Sequence, residues 1–360
     1  MRNKLAPLLA TMLLAAVCAS CAHQNPYYDS SKPHHTHSGF RNNYVSEFFT
    51  GSFWRWQWER WRDAVPKPPA DGYASFPLVR PDIDWLKQNR SEASATWIGH
   101  ATVLLQVGGL NILTDPIFSE RASPLSWVGP RRKVGLPLQL HELPHIDVVI
   151  VSHNHYDHLD LPTLKALEKQ QGGPPQLLMP LGVGDWLKEQ GLSKVAQFDW
   201  WQSQQVGDAQ IHFVPVQHWS ARGPFDRFET LWGGWVIESQ ARGRPFRAFF
   251  TGDTGYSKDF ADIRRRYGDI DLAMIPIGAY EPRWFMRNQH VDPTESVHIH
   301  RDLHAKTSLG IHWGTFELTD ESLDEPPRAL QRALREQHVN ENSFVVLPHG
   351  GMLKFTEDRP

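Results

Sequence analysis

The sequence predicts an α/β fold in which helices cover β-sheets, on two observations: strand-length apolar runs recur from Ala95 onward, and capped helical stretches fall between them. Residues 102–107 and 110–114 flank Gly108-Gly109, a tight-hairpin signature, because glycine enters left-handed turns without steric cost. Buried strands are expected at 147–151, 176–179, 211–216, 231–237, 247–251, 272–277, 308–311 and 344–347. Helices are expected at 162–170, opened by a first-turn proline, and at 183–190, stopped by Gly191. Ser257 caps a third that runs to Tyr267 with Asp259 in its first turn. Asp292-Pro293-Thr294-Glu295 starts a fourth, with an N-cap, a proline and a carboxylate three residues on.

The chain of 360 residues is long enough for one large domain or two ordinary ones, and its 40% hydrophobic and 21% charged residues exclude wholesale disorder and a multi-span membrane protein. A net charge of -3 and a pI near 6.7 argue against a nucleic-acid partner, which would want a basic face. Arg131-Arg132-Lys133 and Arg264-Arg265-Arg266 read as solvated faces.

Residues 1–20 read as a signal peptide. Arg2 and Lys4 precede the apolar run 5–17, which is too short to span a bilayer as a helix. The run ends in Cys18-Ala19-Ser20-Cys21, which resembles the lipobox of bacterial lipoproteins, so Cys21 is the expected lipidation site and the protein an exported, membrane-anchored lipoprotein. An ordinary signal peptide cut near Ser20 or Ala22 is the alternative. Cys18 and Cys21 are the only cysteines, so no disulfide within the rest of the chain is expected. Residues 21–95 form an N-terminal arm: first a polar tether, in which His34, His35 and His37 are read as exposed, then a Trp-rich segment. There Trp54, Trp58 and Trp61 share one helical face, which either docks on the domain or lies at a lipid interface. Residues 96–360 form the main folded domain.

The strongest signal is the passage from the apolar run at 148–151 into Ser152-His153-Asn154-His155-Tyr156-Asp157-His158. His153 and His155, two apart in an extended loop, can grip one ion, and Asp157 and His158, beyond a turn, can face a second. His218, Asp253 and His312 each follow an expected strand, and Asp253 is the natural bridge, since a carboxylate has one oxygen for each ion. All-nitrogen and oxygen ligation favours two zinc ions, which would lower the pKa of a shared water and polarise the scissile group. Asp115, ending the expected strand 110–114, is the candidate carboxylate behind a metal-bound histidine.

The motifs Ile98-Gly99-His100-Ala101-Thr102, Leu113-Thr114-Asp115-Pro116-Ile117-Phe118, Asp199-Trp200-Trp201, Gln217-His218-Trp219, Gly252-Asp253-Thr254-Gly255-Tyr256, Pro276 through Met286, Gln289-His290-Val291-Asp292-Pro293 and Ile311-His312-Trp313-Gly314 stand in this order around the metal motif. Together they resemble the N-acyl-phosphatidylethanolamine-hydrolysing phospholipase D family of the metallo-β-lactamase superfamily. The resemblance implies an αββα sandwich, one zinc on His153, His155 and His218, a second on Asp157, His158 and His312, and Asp253 between them. It also implies that Tyr156, Gln289 and His290 line the substrate site and that Asp157, Asp253 and His290 carry catalysis, His290 as a general acid or phosphate contact. The implied reaction releases phosphatidic acid and an N-acylethanolamine from a phospholipid. Hydrolysis of another small ester or lactone is the alternative, and a homodimer stays open.

Overall fold

The computed structural model describes residues 24–355 apart from 46, 49, 50, 70, 71, 75, 242 and 243, so the expected lipidation site Cys21 lies outside the described residues. A short hairpin, β1 (His35–Thr36) and β2 (Gly39–Phe40), precedes two seven-stranded sheets. The first holds β3 (Ser94–Gly99), β4 (Thr102–Val107), β5 (Leu110–Thr114), β6 (Val148–Ile150), β7 (Gln176–Pro180) and β8 (Val195–Phe198) in chain order. The second holds β9 (Ser203–Val206), β10 (Ala209–Val214), β11 (Gly234–Ala241), β12 (Arg244–Phe250), β13 (Leu272–Pro276), β14 (Thr307–Ile311) and β15 (Phe344–Val345), and β16 (Met352–Lys354) returns to pair antiparallel with β3. Each sheet is half antiparallel, β3 to β5 and β9 to β12, and half parallel, β5 to β8 and β12 to β15.

Period-two alternation along the strands separates the layers. On β4 and β6, Val103, Leu105, Val148 and Ile150 join Phe213, Trp235, Ile237 and Phe250 of the second sheet in one inter-sheet core. Their neighbours Leu104 and Val149 face the other way, into a cluster with Leu86, Leu164 and Leu187. Those three belong to helices, which in chain order are α1 (Phe53–Asp63), α2 (Ile83–Gln88), α3 (Leu161–Leu167), α4 (Val183–Glu189), α5 (Asp259–Tyr267), α6 (Arg283–Met286), α7 (Pro293–Asp302) and α8 (Glu325–Glu336). Helices α2 to α4 cover the first sheet, while α5, α7 and α8 bring Phe260, Val297 and Leu334 to the second. The expected αββα sandwich is therefore present. One expected cap holds: Asp292 accepts from Glu295 N at 2.9 Å and Glu295 accepts in return from Asp292 N, a closed capping box that starts α7. The other does not: α5 starts after Lys258, which makes no side-chain cap bond, and Ser257 lies one residue too early, its Oγ accepting from Asp259 N at 3.3 Å.

Three further sequence readings are corrected. Helix α1 docks through Trp56, stacked on Phe285 at 5.1 Å and bonded to Asp320 at 3.0 Å, and through Arg60 one turn later, bonded to Leu318 O. The face expected to dock stays open, with Trp54 at 79%, Trp58 at 60% and Trp61 at 73% exposure. His34 and His35 are buried rather than exposed, because Asp199, distant in sequence, supplies the carboxylate that their own segment lacks. Arg132 is also buried, donating to Ile117 O at 2.7 Å and lying over the Phe316 ring, so one member of that basic run is a structural staple. Among the described residues no helix is long and apolar enough to cross a membrane.

Candidate metal centre

Every expected ligand follows the C-terminal end of a strand: His153 to His158 after β6, His218 after β10, Asp253 after β12 and His312 after β14. Strand ends of an α/β sheet form a crevice where loops converge. Here the two sheets bring theirs to one place, and a glycine makes the approach close enough. Gly252 has φ +63, and a Cβ on it would lie 2.4 Å from Ser152 Cβ, so the segments carrying Asp253 and His153 meet only because residue 252 has no side chain.

The ligand atoms form two groups. His153 Nε2 lies 2.7 Å and His218 Nε2 3.4 Å from His155 Nδ1. In the other group His158 Nε2 is 3.2 Å from His312 Nε2, and Asp157 Oδ2 is 3.3 Å from the first and 3.4 Å from the second. Asp253 stands between them: Oδ2 is 3.1 Å from His158, 3.8 Å from His218 and 4.0 Å from His153, while Oδ1 is 3.1 Å from His312. The structure thus brings all seven sequence-predicted ligands together.

The surrounding hydrogen bonds decide which nitrogen of each ring is free. His158 Nδ1 donates to Asp115 Oδ2 at 2.6 Å, and His218 Nδ1 donates to Gln289 O at 2.8 Å. In the neutral ring each Nε2 therefore presents its lone pair inward, the tautomer that a metal ligand requires. Asp115 also accepts from Ser152 N at 2.7 Å and Ser152 Oγ at 2.5 Å, and Ser152 Oγ lies 2.9 Å from His153 Nδ1. One buried carboxylate thus stands behind a ligand of each group. Lone pairs aimed at one another repel, and buried Asp253 Oδ1, His155 Nε2, His290 Nδ1 and His312 Nδ1 have no hydrogen-bond partner among the described residues. The donor set fits divalent cations on chemical grounds.

Electrostatics point the same way. Burial, together with neighbouring imidazoles, pushes His153 and His218 well below the ordinary histidine range, which is the neutral, ligating form. Burial alone would raise Asp253, but His158, His312 and His290 hold its carboxyl well below the usual range. Burial opposes charge on His158, yet Asp253, Asp157 and Asp115 pull that imidazole well above its usual range. The cluster calls for positive charge at its centre.

The residues expected to line the substrate site separate. His290 sits beside the centre with Nδ1 3.8 Å from Asp253 Oδ2, and burial pushes its imidazole down to about 4. Tyr156 lies under the Arg222 guanidinium at 3.9 Å, and Arg222 also donates to Asn154 O and Leu159 O, stapling the ligand loop. The Gln289 side chain is turned onto its own segment, donating to Phe285 O at 3.1 Å, so its main-chain carbonyl is what touches a ligand. Sequence reasoning assigned no role to His100, whose Nε2 donates to Asp157 Oδ2 at 2.9 Å. Its place just after β3 carried the same strand-end signal as the other ligand-loop residues.

Known proteins share this sequence pattern and fold. The family described as Beta-lactamase superfamily domain matches residues 110–313. The chain is 39% identical over 270 residues to N-acyl-phosphatidylethanolamine-hydrolyzing phospholipase D 1 of Caenorhabditis elegans, covering 71% of this chain and 74% of that one. It is 37% identical to the mitochondrial N-acyl-phosphatidylethanolamine-hydrolyzing phospholipase D of Saccharomyces cerevisiae, covering 66% of this chain and 50% of that one. Among solved structures, isothiocyanate hydrolase from Delia radicum gut bacteria superposes with a TM-score of 0.58 at 19% identity, covering 73% of this chain and 99% of that one, a likeness of fold alone. With a sandwich of this architecture, a cluster of seven candidate metal-ligating side chains and that level of identity, the chain is a metal-dependent hydrolase and belongs to the N-acyl-phosphatidylethanolamine-hydrolysing phospholipase D family of the β-lactamase superfamily.

Proposed function

We propose that the chain is a dinuclear zinc phosphodiesterase of phospholipase D type, releasing phosphatidic acid and an N-acylethanolamine from N-acyl-phosphatidylethanolamine or a related phospholipid. The observation that carries this reading is the position of Asp253, whose Oδ2 lies 3.8 Å from His218 and 4.0 Å from His153 in one group while Oδ2 and Oδ1 lie 3.1 Å from His158 and His312 in the other. His153, His155 and His218 would hold one ion and Asp157, His158 and His312 the other, with Asp253 shared. When bound, the ions supply Lewis acidity, acidifying a water and neutralising charge on a phosphoryl group.

The protein's own groups do the positioning. Asp115, Gln289 O and His100 fix ligand orientation, which holds the charge pattern in place while the phosphoryl group passes through its transition state. His290 stays neutral near pH 7 because of burial, and so brings one N–H to a phosphoryl or departing alcohol oxygen as a hydrogen-bond donor. Membrane association is part of the same proposal. The open Trp54, Trp58 and Trp61 face, flanked by Arg55 and Arg62, has the composition of an interfacial helix, and acylated Cys21 would tether the exported chain beside its substrate.

The test presents zinc-loaded protein with diacyl phospholipids, N-acylated phospholipids and lactones in water labelled with oxygen-18. Phosphatidic acid carrying the label on phosphorus, with unlabelled N-acylethanolamine, is the expected result. Diacylglycerol as product, or label in the alcohol, would sink the proposed regiochemistry.

A further inference from the structure

The N-terminal arm reaches the candidate metal centre through the side chain of Asn42. Asn42 is buried; its Oδ1 accepts from His218 N–H at 3.0 Å, and its Nδ2 donates to His218 C=O at 2.9 Å. The Trp232 indole N–H donates to the same Oδ1 at 3.2 Å. His218 lies beyond the end of β10, so these bonds do for its main chain what a neighbouring strand would do inside the sheet. Gln289 O then sets the ring, and Asn42 sets the backbone that carries it.

The arm is fastened upstream and beside this contact. Buried Asp199 accepts from His34 Nε2 at 2.7 Å, His35 Nε2 at 3.0 Å, the Lys32 ammonium and Trp200 N–H at 2.7 Å. A carboxylate holding that many donors, several of them charge-assisted, is a firm anchor. Phe40 N donates to Phe228 O at 2.8 Å, and a Cβ on Gly39 would lie 2.1 Å from that oxygen, so the arm's backbone rests directly on the loop that follows His218. Tyr27 and Asn43 tie the two ends of this stretch to Asp185 on α4 and Asp259 on α5.

We propose that Asn42 is a positioning residue for the three-histidine half of the centre, and that the arm, clamped by Lys32, His34 and His35 on Asp199, is a working part of the site. The inference rests on His218 being a ligand. It is selective, because Asn42 bonds to His218 and not to Asp157, His158 or His312. Loss of a group that orients a ligand weakens a metal site by about 10–100-fold.

The test is zinc titration of the full chain against a chromophoric chelator, in two single-site backgrounds. His312→Ala retains the three-histidine group, and His153→Ala retains the other. Asn42→Ala should weaken zinc by about 10–100-fold in the first background and by less than about twofold in the second. The pair His34→Ala with His35→Ala, remote from every ligand, should show the same selectivity together with faster proteolysis within residues 24–45, and it carries the test if Asn42→Ala does not fold. Equal losses in both backgrounds would make Asn42 a general stabiliser and overturn the proposal, as would no loss in either. If His312→Ala and His153→Ala each fail to remove one ion from the parent chain, the ligand assignment falls and the inference with it.

Discussion

His158 and Asp115 meet at 2.6 Å between Nδ1 and Oδ2, with both side chains fully buried. The carboxylate makes His158 a better ligand by fixing its tautomer and adding electron density to the ring. Asp115→Asn preserves the shape and removes the charge. Zinc retention during dialysis against a chelator should fall by about 10–100-fold. Unchanged retention would mean that Asp115 only fills space.

The Gly252 contact gives a second prediction. Alanine there must adopt a left-handed backbone, at a cost of roughly 1–2 kcal/mol, and its methyl group would lie 2.4 Å from Ser152 Cβ unless the segments part. Gly252→Ala should therefore lower both the melting temperature and the metal content, since the displaced segments carry Asp253 and His153. A variant that melts lower but keeps its full complement of metal would show that the strain relaxes away from the centre.

Acidification should destabilise the fold through buried histidines outside the candidate ligand set. Burial pushes His300 down to about 4 and His349 to about 3. In the unfolded chain both titrate near 6.5, so that state takes up protons first. The stability from these neutral rings is fully present above about 6.5 and is lost as pH falls toward about 4 for His300 and about 3 for His349. Urea melts across this range should show the slope, and His300→Gln should flatten its upper part. An identical profile in that variant would remove His300 from the account.

The open indole face should matter for vesicles and not for chemistry. Replacing Trp54, Trp58 and Trp61 with alanine should weaken partitioning onto phospholipid vesicles by roughly ten- to a hundredfold per indole, given ~1.5–3 kcal/mol for burying a large apolar side chain. Turnover of a monomeric short-chain substrate should hold. Full vesicle binding by the triple variant would leave the face without a lipid role.

The sequence made the layers and the ligands legible because both depend on local signals. Buried strands such as β6 and β13 are continuous apolar runs, and the ligands follow strand ends at fixed offsets. Strand β8 was missed because its residues are mostly half-buried and lack a period. Strand β16 was missed because its partner β3 lies at the far end of the chain, where nothing local records the pairing. The Trp helix misled for a related reason. Periodicity finds a stripe of like residues, but Trp56 on another face found Phe285 and Asp320, partners more than two hundred residues away. The Asp199 anchor for His34 and His35 is equally non-local.

Trp235 of the second sheet donates its indole N–H to Val151 O of the first at 2.9 Å, just ahead of the His153 loop. His153, His155, Asp157 and His158 stand on one sheet and His218, Asp253 and His312 on the other. Sliding the sheets past one another is therefore the same displacement as pulling the ligands apart, so a bound cation acts as a rivet through a laminate. Heating should loosen the rivet before the plates, with metal escaping below the main melting transition, and each tenfold rise in free metal above a site's dissociation constant should add about 1.4 kcal/mol per bound ion to the resistance of the whole sandwich to unfolding.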